Sequence, residues 1–247
     1  MVLKLFNKDK VYSPSEKVGE YTILRALGEG RYGICYLASK GDKQYILKQL
    51  KKDMLKQAGE KAKYEQEVLD KIHYESIPKF IEKLQYDKFT GYVLEYKEGK
   101  TFEEIIYVDN YVFSKEEIYE IGLQLINISE YLHSLRIVHR DIRVPNVLYH
   151  NGKVILLDFG LARWVNNERY TPDVDFSYLG DFLIHLYYTA YEVVDEVERP
   201  WYEELELEED EKRVLKRLMG VTERYKSIEE VKKDFLMLKA KNNGIVL

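Results

Sequence analysis

The chain has 247 residues, 45% of them hydrophobic and 33% charged, which suits one large domain or two small lobes around a buried core. Its formal net charge of −5 gives no case for non-specific nucleic-acid binding, which needs a basic face, though local basic patches stay open. A single cysteine, Cys35, excludes an intrachain disulfide and a multi-cysteine zinc site, and no apolar run reaches the roughly 20 residues that cross a bilayer.

Met1 to Lys10 holds a short apolar patch broken by Lys4, Asn7, Lys8 and Asp9, without a signal-peptide core. With the lone thiol this suits a reducing compartment, and a cytoplasmic location is expected. Residues 1 to 18 read as a polar lead-in with no assigned role. Tyr21 to Leu27 alternates as a strand and ends in a glycine cluster; Ile34 to Ala38 and Tyr45 to Leu50 are further strands around the hairpin signal Lys40-Gly41-Asp42-Lys43. From Lys52 to Ile72 the period turns helical, with Met54, Ala58, Ala62, Val68, Leu69 and Ile72 as the apolar set. Phe80 to Tyr86 and Tyr92 to Tyr96 form a predicted hairpin around Asp87 to Gly91.

The second half is mainly helical. Ser114 caps a predicted helix to Ser134, with Glu117 as its capping-box partner. Val147 to Leu148 and Val154 to Leu157 flank an Asn151-Gly152 turn. Asp175 to Tyr191 is a mostly apolar helix, expected to be buried all round. Glu204 to Met219 and Ser227 to Leu238 are amphipathic helices. A β-rich half followed by an α-rich half predicts an α+β fold of two lobes, 1–96 and 97–247, forming a single domain with a cleft.

Three motifs carry chemistry. Gly28-Glu29-Gly30-Arg31-Tyr32-Gly33 is a G-x-G-x-x-G pattern. In a dinucleotide-binding fold it would open a helix; here a strand follows, which suits a glycine-rich flap over phosphates, glycine letting the backbone come close. Lys48 sits among apolar neighbours on a predicted inner strand, where an unpaired ammonium is costly. Glu65 on the next helix is its best partner, while Glu67 points about 200° round the helix. Third, His139-Arg140-Asp141-Ile142-Arg143-Val144-Pro145-Asn146 precedes Asp158-Phe159-Gly160 by a short gap. Asp141 can orient a hydroxyl and accept its proton, Arg143 can neutralise a transferring phosphate, and Asn146 and Asp158 offer oxygen ligands suited to Mg²⁺.

Together these motifs resemble the protein kinases of the eukaryotic-like Ser/Thr superfamily, in a small bacterial form with a truncated activation segment. The resemblance covers about residues 21 to 238. It implies a bilobal kinase fold and transfer of the γ-phosphoryl of Mg-ATP to a protein hydroxyl, Ser/Thr ahead of Tyr with Arg143 leaving the choice open, the kinase's own chain included. Mn²⁺ is an alternative metal. ATP would lie under the flap at Gly28, Gly30 and Gly33, with its α- and β-phosphates on Lys48 and Lys48 paired to Glu65. Asp141 would be the catalytic base, and Asn146 and Asp158 the metal ligands. Glu95-Tyr96-Lys97 would form the adenine hinge, Leu94 the gatekeeper and Leu148 the adenine floor. Leu69, His139 and Phe159 would join a hydrophobic spine. Asp175 and Gly180 match the start of the helix that anchors the catalytic loop, and Arg224 matches a late large-lobe arginine.

The chain departs from the family pattern in three places. Cys35 and Ile46 stand where valine and alanine usually contact adenine, so a reshaped pocket is expected. Arg143 replaces the usual lysine and keeps its charge with a planar fork. Residues 161–174, only fourteen, replace the full activation loop and its Ala-Pro-Glu element. Arg140, which in the family gathers a loop phosphate, is expected to pair with Glu168 or with nothing, and Tyr170 and Thr171 to be dispensable. A partner would then regulate the enzyme, or nothing would. The truncation also keeps a small-molecule kinase of the aminoglycoside or choline type in view, and a nucleotide-binding pseudokinase scaffold as a third class.

Overall fold

The computed structural model describes residues 9–30, 33–53, 64–166, 168–193 and 197–242. They divide into two units, Met1–His73 with Pro78–Lys97, and Tyr74–Ile77 with Glu98–Leu247. The first is built on strands β1 (Lys17–Val18), β2 (Tyr21–Glu29), β3 (Gly33–Lys40), β4 (Lys43–Leu50), β5 (Phe80–Tyr86) and β6 (Phe89–Glu95). They form one antiparallel sheet in the order β1-β2-β3-β4-β6-β5.

Successive side chains on a strand point to opposite faces. One face buries Ile34, Tyr36 and Ala38 of β3, Leu47 of β4 and Val93 of β6 in a cluster with Val18, Tyr21, Ile23 and Phe89. Tyr12 joins that cluster, its ring 6.0 Å from Tyr36 and 5.9 Å from Phe89 at steep angles. The lead-in is therefore part of this core at Tyr12. The opposite face carries Cys35, Ile46, Lys48 and Leu94, because Cys35 pairs in register with Lys48 and Ile46 with Leu94.

The second hairpin turn is tighter than expected, and its second strand begins at Phe89 instead of Tyr92. β5 and β6 close at Asp87-Lys88, with Tyr86 opposite Phe89 and Asp87 at φ 49°. Gly91 is thus a strand residue, not a turn residue. A Cβ there would lie 2.0 Å from the carbonyl oxygen of Lys48, so glycine is needed for β4 to approach. Helix α1 runs Tyr64–Lys71 and buries Glu65, Val68 and Leu69. Met54, Ala58 and Ala62, assigned to the same helix from sequence, lie outside the described residues.

The second unit centres on α3 (Lys115–Ser134), which follows α2 (Phe102–Tyr107). The Ser114–Glu117 capping box is formed in both directions. Helix α3 buries Ile118, Ile121, Leu125, Ile128 and Leu132, each worth roughly 1.5–3 kcal/mol against exposure. Helix α2 has its own capping box, Thr101 with Glu104. The T-x-x-E signal was present in the sequence, but six residues are too few for a clear period. Helix α4 (Asp173–Tyr188) is followed by one turn, α5 (Trp201–Glu204), then α6 (Glu209–Met219) and α7 (Ile228–Asn242). The predicted helix Glu204–Met219 is therefore split: Glu208 and Glu211 form a capping box that starts α6 afresh. Gly180 lets α6 approach α4, since a Cβ there would lie 2.9 Å from the Met219 sulfur.

Small β elements frame the loops of this unit. β7 (Lys100–Thr101), β9 (Val147–His150) and β10 (Lys153–Leu156) form a sheet in the order β10-β9-β7, and β8 (Ile137–Val138) pairs with β11 (Arg163–Trp164). Asn151 and Gly152 make the β9–β10 turn with positive φ, 48° and 77°, as type I′ hairpins require. No helix among the described residues is long and apolar enough to cross a membrane.

Candidate active site

In the first unit, the register aligns Gly28, Cys35, Lys48 and Tyr92 across β2, β3, β4 and β6. Lys48 and Glu65 are both buried, and Lys48 Nζ donates to Glu65 Oε1 at 2.7 Å and Oε2 at 2.9 Å. The pair predicted from sequence is thus formed. Burial beside it pushes the Tyr92 phenol well above its usual pKa.

The motif glycines divide into two kinds. A Cβ on Gly28 or Gly30 would meet nothing within 4 Å, whereas one on Gly33 would lie 2.2 Å from the Gln49 carbonyl oxygen. Gly33 is therefore required by the approach of β4, not by a phosphate alone. Gly30 N–H donates to Gly33 O at 2.9 Å, closing the turn; Arg31 and Tyr32 lie outside the described residues. Ile46 and Leu94 stand opposite each other and are half-buried. Glu95 is fixed to its neighbours: its N–H donates to Lys79 O at 2.9 Å, and its carboxylate takes Lys97 Nζ at 3.0 Å. Tyr96 is half-buried between Glu95 and Lys97 in sequence.

In the second unit, Asp141 lies in the loop after β8 and is 7% exposed. Arg143 Nε donates to its Oδ1 at 2.5 Å and Nη2 to its Oδ2 at 3.2 Å. Asn146 Nδ2 donates to Asp141 Oδ2 at 2.7 Å and to its backbone carbonyl at 3.0 Å. That geometry holds the carboxylate at both oxygens and leaves Asn146 Oδ1 with no donor among the described residues. Leu157 N–H donates to Asn146 O at 2.8 Å, so Asp158 follows directly from a residue tied to Asn146. Asp158 is exposed, at φ 52°, and accepts the Gly160 N–H at 3.2 Å. Asn146 and Asp158 offer hard oxygen donors, and two such groups with bound phosphate are how Mg²⁺ is usually held. Among the described residues, no three of His, Cys, Asp and Glu cluster as a metal cage. Leu148, on β9, is buried.

The loop is held from below. Asp175 is 1% exposed and accepts the N–H groups of His139 at 2.9 Å and Arg140 at 2.7 Å. His133 Nε2 adds a third contact at 3.0 Å. His133 went unnoticed in the sequence, since a histidine ending an amphipathic helix carries no signal by itself. His139 is fully buried, its ring 4.7 Å from Phe159 in an edge arrangement. It accepts the Asp141 N–H on Nδ1 and contacts Leu157 O through Nε2 at 3.0 Å. Those partners assign the neutral, Nε2-protonated ring, and burial lowers its pKa accordingly. Of the predicted spine, His139 and Phe159 pack edge to face within this unit, and Leu69 belongs to the other.

The short segment after Gly160 corrects the expectation for Arg140. Its partner is neither Glu168 nor nothing: Nη1 donates to Leu161 O at 3.1 Å, and the guanidinium lies 4.7 Å from the centre of the Tyr170 ring. Tyr170 therefore has a contact to lose, and the ground for calling it dispensable disappears. Arg224 pairs with Asp173 at the start of α4, at 3.6 Å. Among the described residues after α4, Val197–Pro200 are non-helical and α5 is a single turn.

Comparison with known proteins agrees with this constellation. The model of the family described as protein kinase domain matches residues 21–204. A probable serine/threonine-protein kinase, YbdM, of Bacillus subtilis is 34% identical over 87% of this chain and 88% of its own length. The serine/threonine-protein kinases TIO of Arabidopsis thaliana and Nek3 of mouse are 31% and 30% identical over 59% and 60% of this chain. The matched stretches make up only 11% and 29% of those longer proteins. The helical and β-rich units, the held Asp141 and these matches lead to one conclusion: this chain belongs to the protein kinase family and has its mixed α and β fold.

Proposed function

We propose that this chain is an ATP-dependent protein kinase that transfers the γ-phosphoryl group to a serine or threonine hydroxyl of a protein, its own chain included. The observation that carries this reading is the Asp141 carboxylate, gripped at both oxygens by Arg143 and Asn146. Such a carboxylate is pre-oriented to fix an acceptor hydroxyl and take its proton as the new P–O bond forms. Arg143, half-exposed, can lend charge to the transferring group. Lys48, fixed by Glu65, presents an ammonium for the α- and β-phosphates.

Gly28 and Gly30, where a Cβ would meet no atom of the described residues within 4 Å, would leave room for phosphates against the backbone. Cys35, Ile46, Leu94 and the Glu95-Tyr96-Lys97 stretch would contact adenine, with Leu148. Asn146 and Asp158 would hold Mg²⁺, or Mn²⁺ in its place, and the metal when bound would neutralise phosphate charge. We place the enzyme in the cytoplasm, which suits its lone thiol, and leave a regulatory partner as the alternative to constitutive activity.

The test uses labelled ATP and Mg²⁺ with the purified chain, beside Asp141→Ala and Lys48→Ala. Label appearing on protein and vanishing in both variants supports the proposal. Turnover only when a small alcohol or amine is added would assign a small-molecule kinase, and ATP binding without transfer a scaffold.

A further inference from the structure

The residue before the proposed base has an unusual backbone. Arg140 sits at φ 66°, a left-handed conformation that a residue with a side chain keeps only where its surroundings over-determine it. Its backbone N–H is taken by Asp175, its guanidinium donates to Leu161 O, and the guanidinium lies over the face of Tyr170.

Tyr170 is itself placed by design of the short segment. Strand β11 pairs with β8, which leads into His139, and Val165 N–H donates to Arg136 O at 2.7 Å. Asn166 then closes a small loop. Its N–H donates to Tyr170 O at 3.0 Å, and its Oδ1 accepts the N–H groups of Arg169 at 2.8 Å and Tyr170 at 2.9 Å. The ring so presented has a second guanidinium, that of Arg169, 5.5 Å from its centre. A ring with an electron-rich face attracts cations much as an anion does.

We propose that Tyr170 is a positioning residue for phosphoryl transfer. Its ring holds the Arg140 guanidinium, and so the strained backbone that presents Asp141, in place of the loop phosphate that Arg140 gathers in kinases with a full activation segment. The inference rests on the kinase reading of Asp141. It requires the ring and not the hydroxyl, so phosphorylation of Tyr170 is no part of it.

The test takes the full chain as wild type, Tyr170→Phe, Tyr170→Leu, Arg140→Met and the Tyr170→Leu/Arg140→Met double variant. Transfer of label from γ-labelled Mg-ATP to dephosphorylated casein reads the rate, and amide hydrogen exchange over residues 139–146 reads the loop. Tyr170→Leu should lower kcat about two- to fivefold, the range a half-exposed cation–aromatic contact supplies. The KM for ATP should stay within about twofold, and exchange over 139–146 should quicken. Tyr170→Phe should match wild type in both readouts, and the double variant should be no slower than Arg140→Met. The proposal is overturned by Tyr170→Leu keeping wild-type rate and exchange, by Tyr170→Phe being as slow as Tyr170→Leu, or by losses that multiply in the double variant. Asp141→Ala runs alongside: if it keeps its rate the kinase reading falls, while the exchange data still decide whether the ring holds the loop.

Discussion

Glu65 and Asp141 are each held by one cation, yet the two pairs stand in opposite surroundings. The side chains of Lys48 and Glu65 are 9% and 7% exposed; the side chain of Asp141 is 10% exposed, but that of its partner Arg143 is 51% exposed. Neither member of the first pair can lose its partner without stranding a charge out of water. In the second, Arg143 reaches water and can trade the carboxylate for a phosphate, while Asn146 still holds Asp141. The buried pair is thus a fixed part that links α1 to the sheet. The half-exposed pair is a part that can change during a reaction.

This difference can be broken first at Asp141. Asp141→Asn should lower kcat by roughly 100- to 10,000-fold, the range of a lost general base, with the melting temperature moved by only a few degrees. A rate near wild type would remove Asp141 from the chemistry. Next comes the buried pair. Glu65→Gln leaves the Lys48 ammonium against a neutral amide and should cost about 3–5 kcal/mol of stability, read from the urea midpoint. The double variant Lys48→Met/Glu65→Leu should recover most of that stability and none of the activity. If the double variant is as unstable as Glu65→Gln, stranded charge is not the cause.

Much of this was legible in the sequence, and the reason differs between the two pairs. Asp141, Arg143 and Asn146 fall within six residues, so their mutual geometry is a property of one loop. Lys48 and Glu65 are 17 apart, but a lysine among apolar strand residues demands a carboxylate, and the helical period picks Glu65 over Glu67. The glycines were harder. Gly33 and Gly91 are glycine because β4 comes within a Cβ radius of each, a tertiary fact that a phosphate-flap pattern or a turn pattern cannot reveal. The partner of Arg140 was illegible for a similar reason. A charged residue suggests an acid, and nothing in the order of residues shows that Asn166 folds the segment back to offer a tyrosine ring instead.

A milder change sharpens the comparison at its exposed end. Arg143→Ala should lower kcat by about tenfold, since it removes one charge-assisted bond of roughly 1.5–3 kcal/mol whose strength water already reduces. Stability should move by less than about 1 kcal/mol, as for other ion pairs open to solvent. Arg143→Lys should recover part of the rate, because the charge returns without the fork. A stability loss as large as that of Glu65→Gln would erase the distinction between the two pairs.

The smallest expected effect lies beneath Asp141, at His139. Burial lowers its pKa in the folded chain, while in the unfolded chain it should titrate near 6.5. The unfolded state therefore binds the proton first as pH falls. Stability supplied by the neutral ring is complete above about pH 6.5 and is lost below it, by at most about 1.4 kcal/mol per pH unit. The lost species is specific: protonated Nδ1 can no longer accept the Asp141 N–H. Urea unfolding at pH 7.5 and 5.5 should show this loss in wild type and a smaller one in His139→Phe, which cannot titrate. Equal losses in the two proteins would assign the acid sensitivity elsewhere. A loss confined to wild type would tie the working range of the catalytic loop to the protonation of one buried ring.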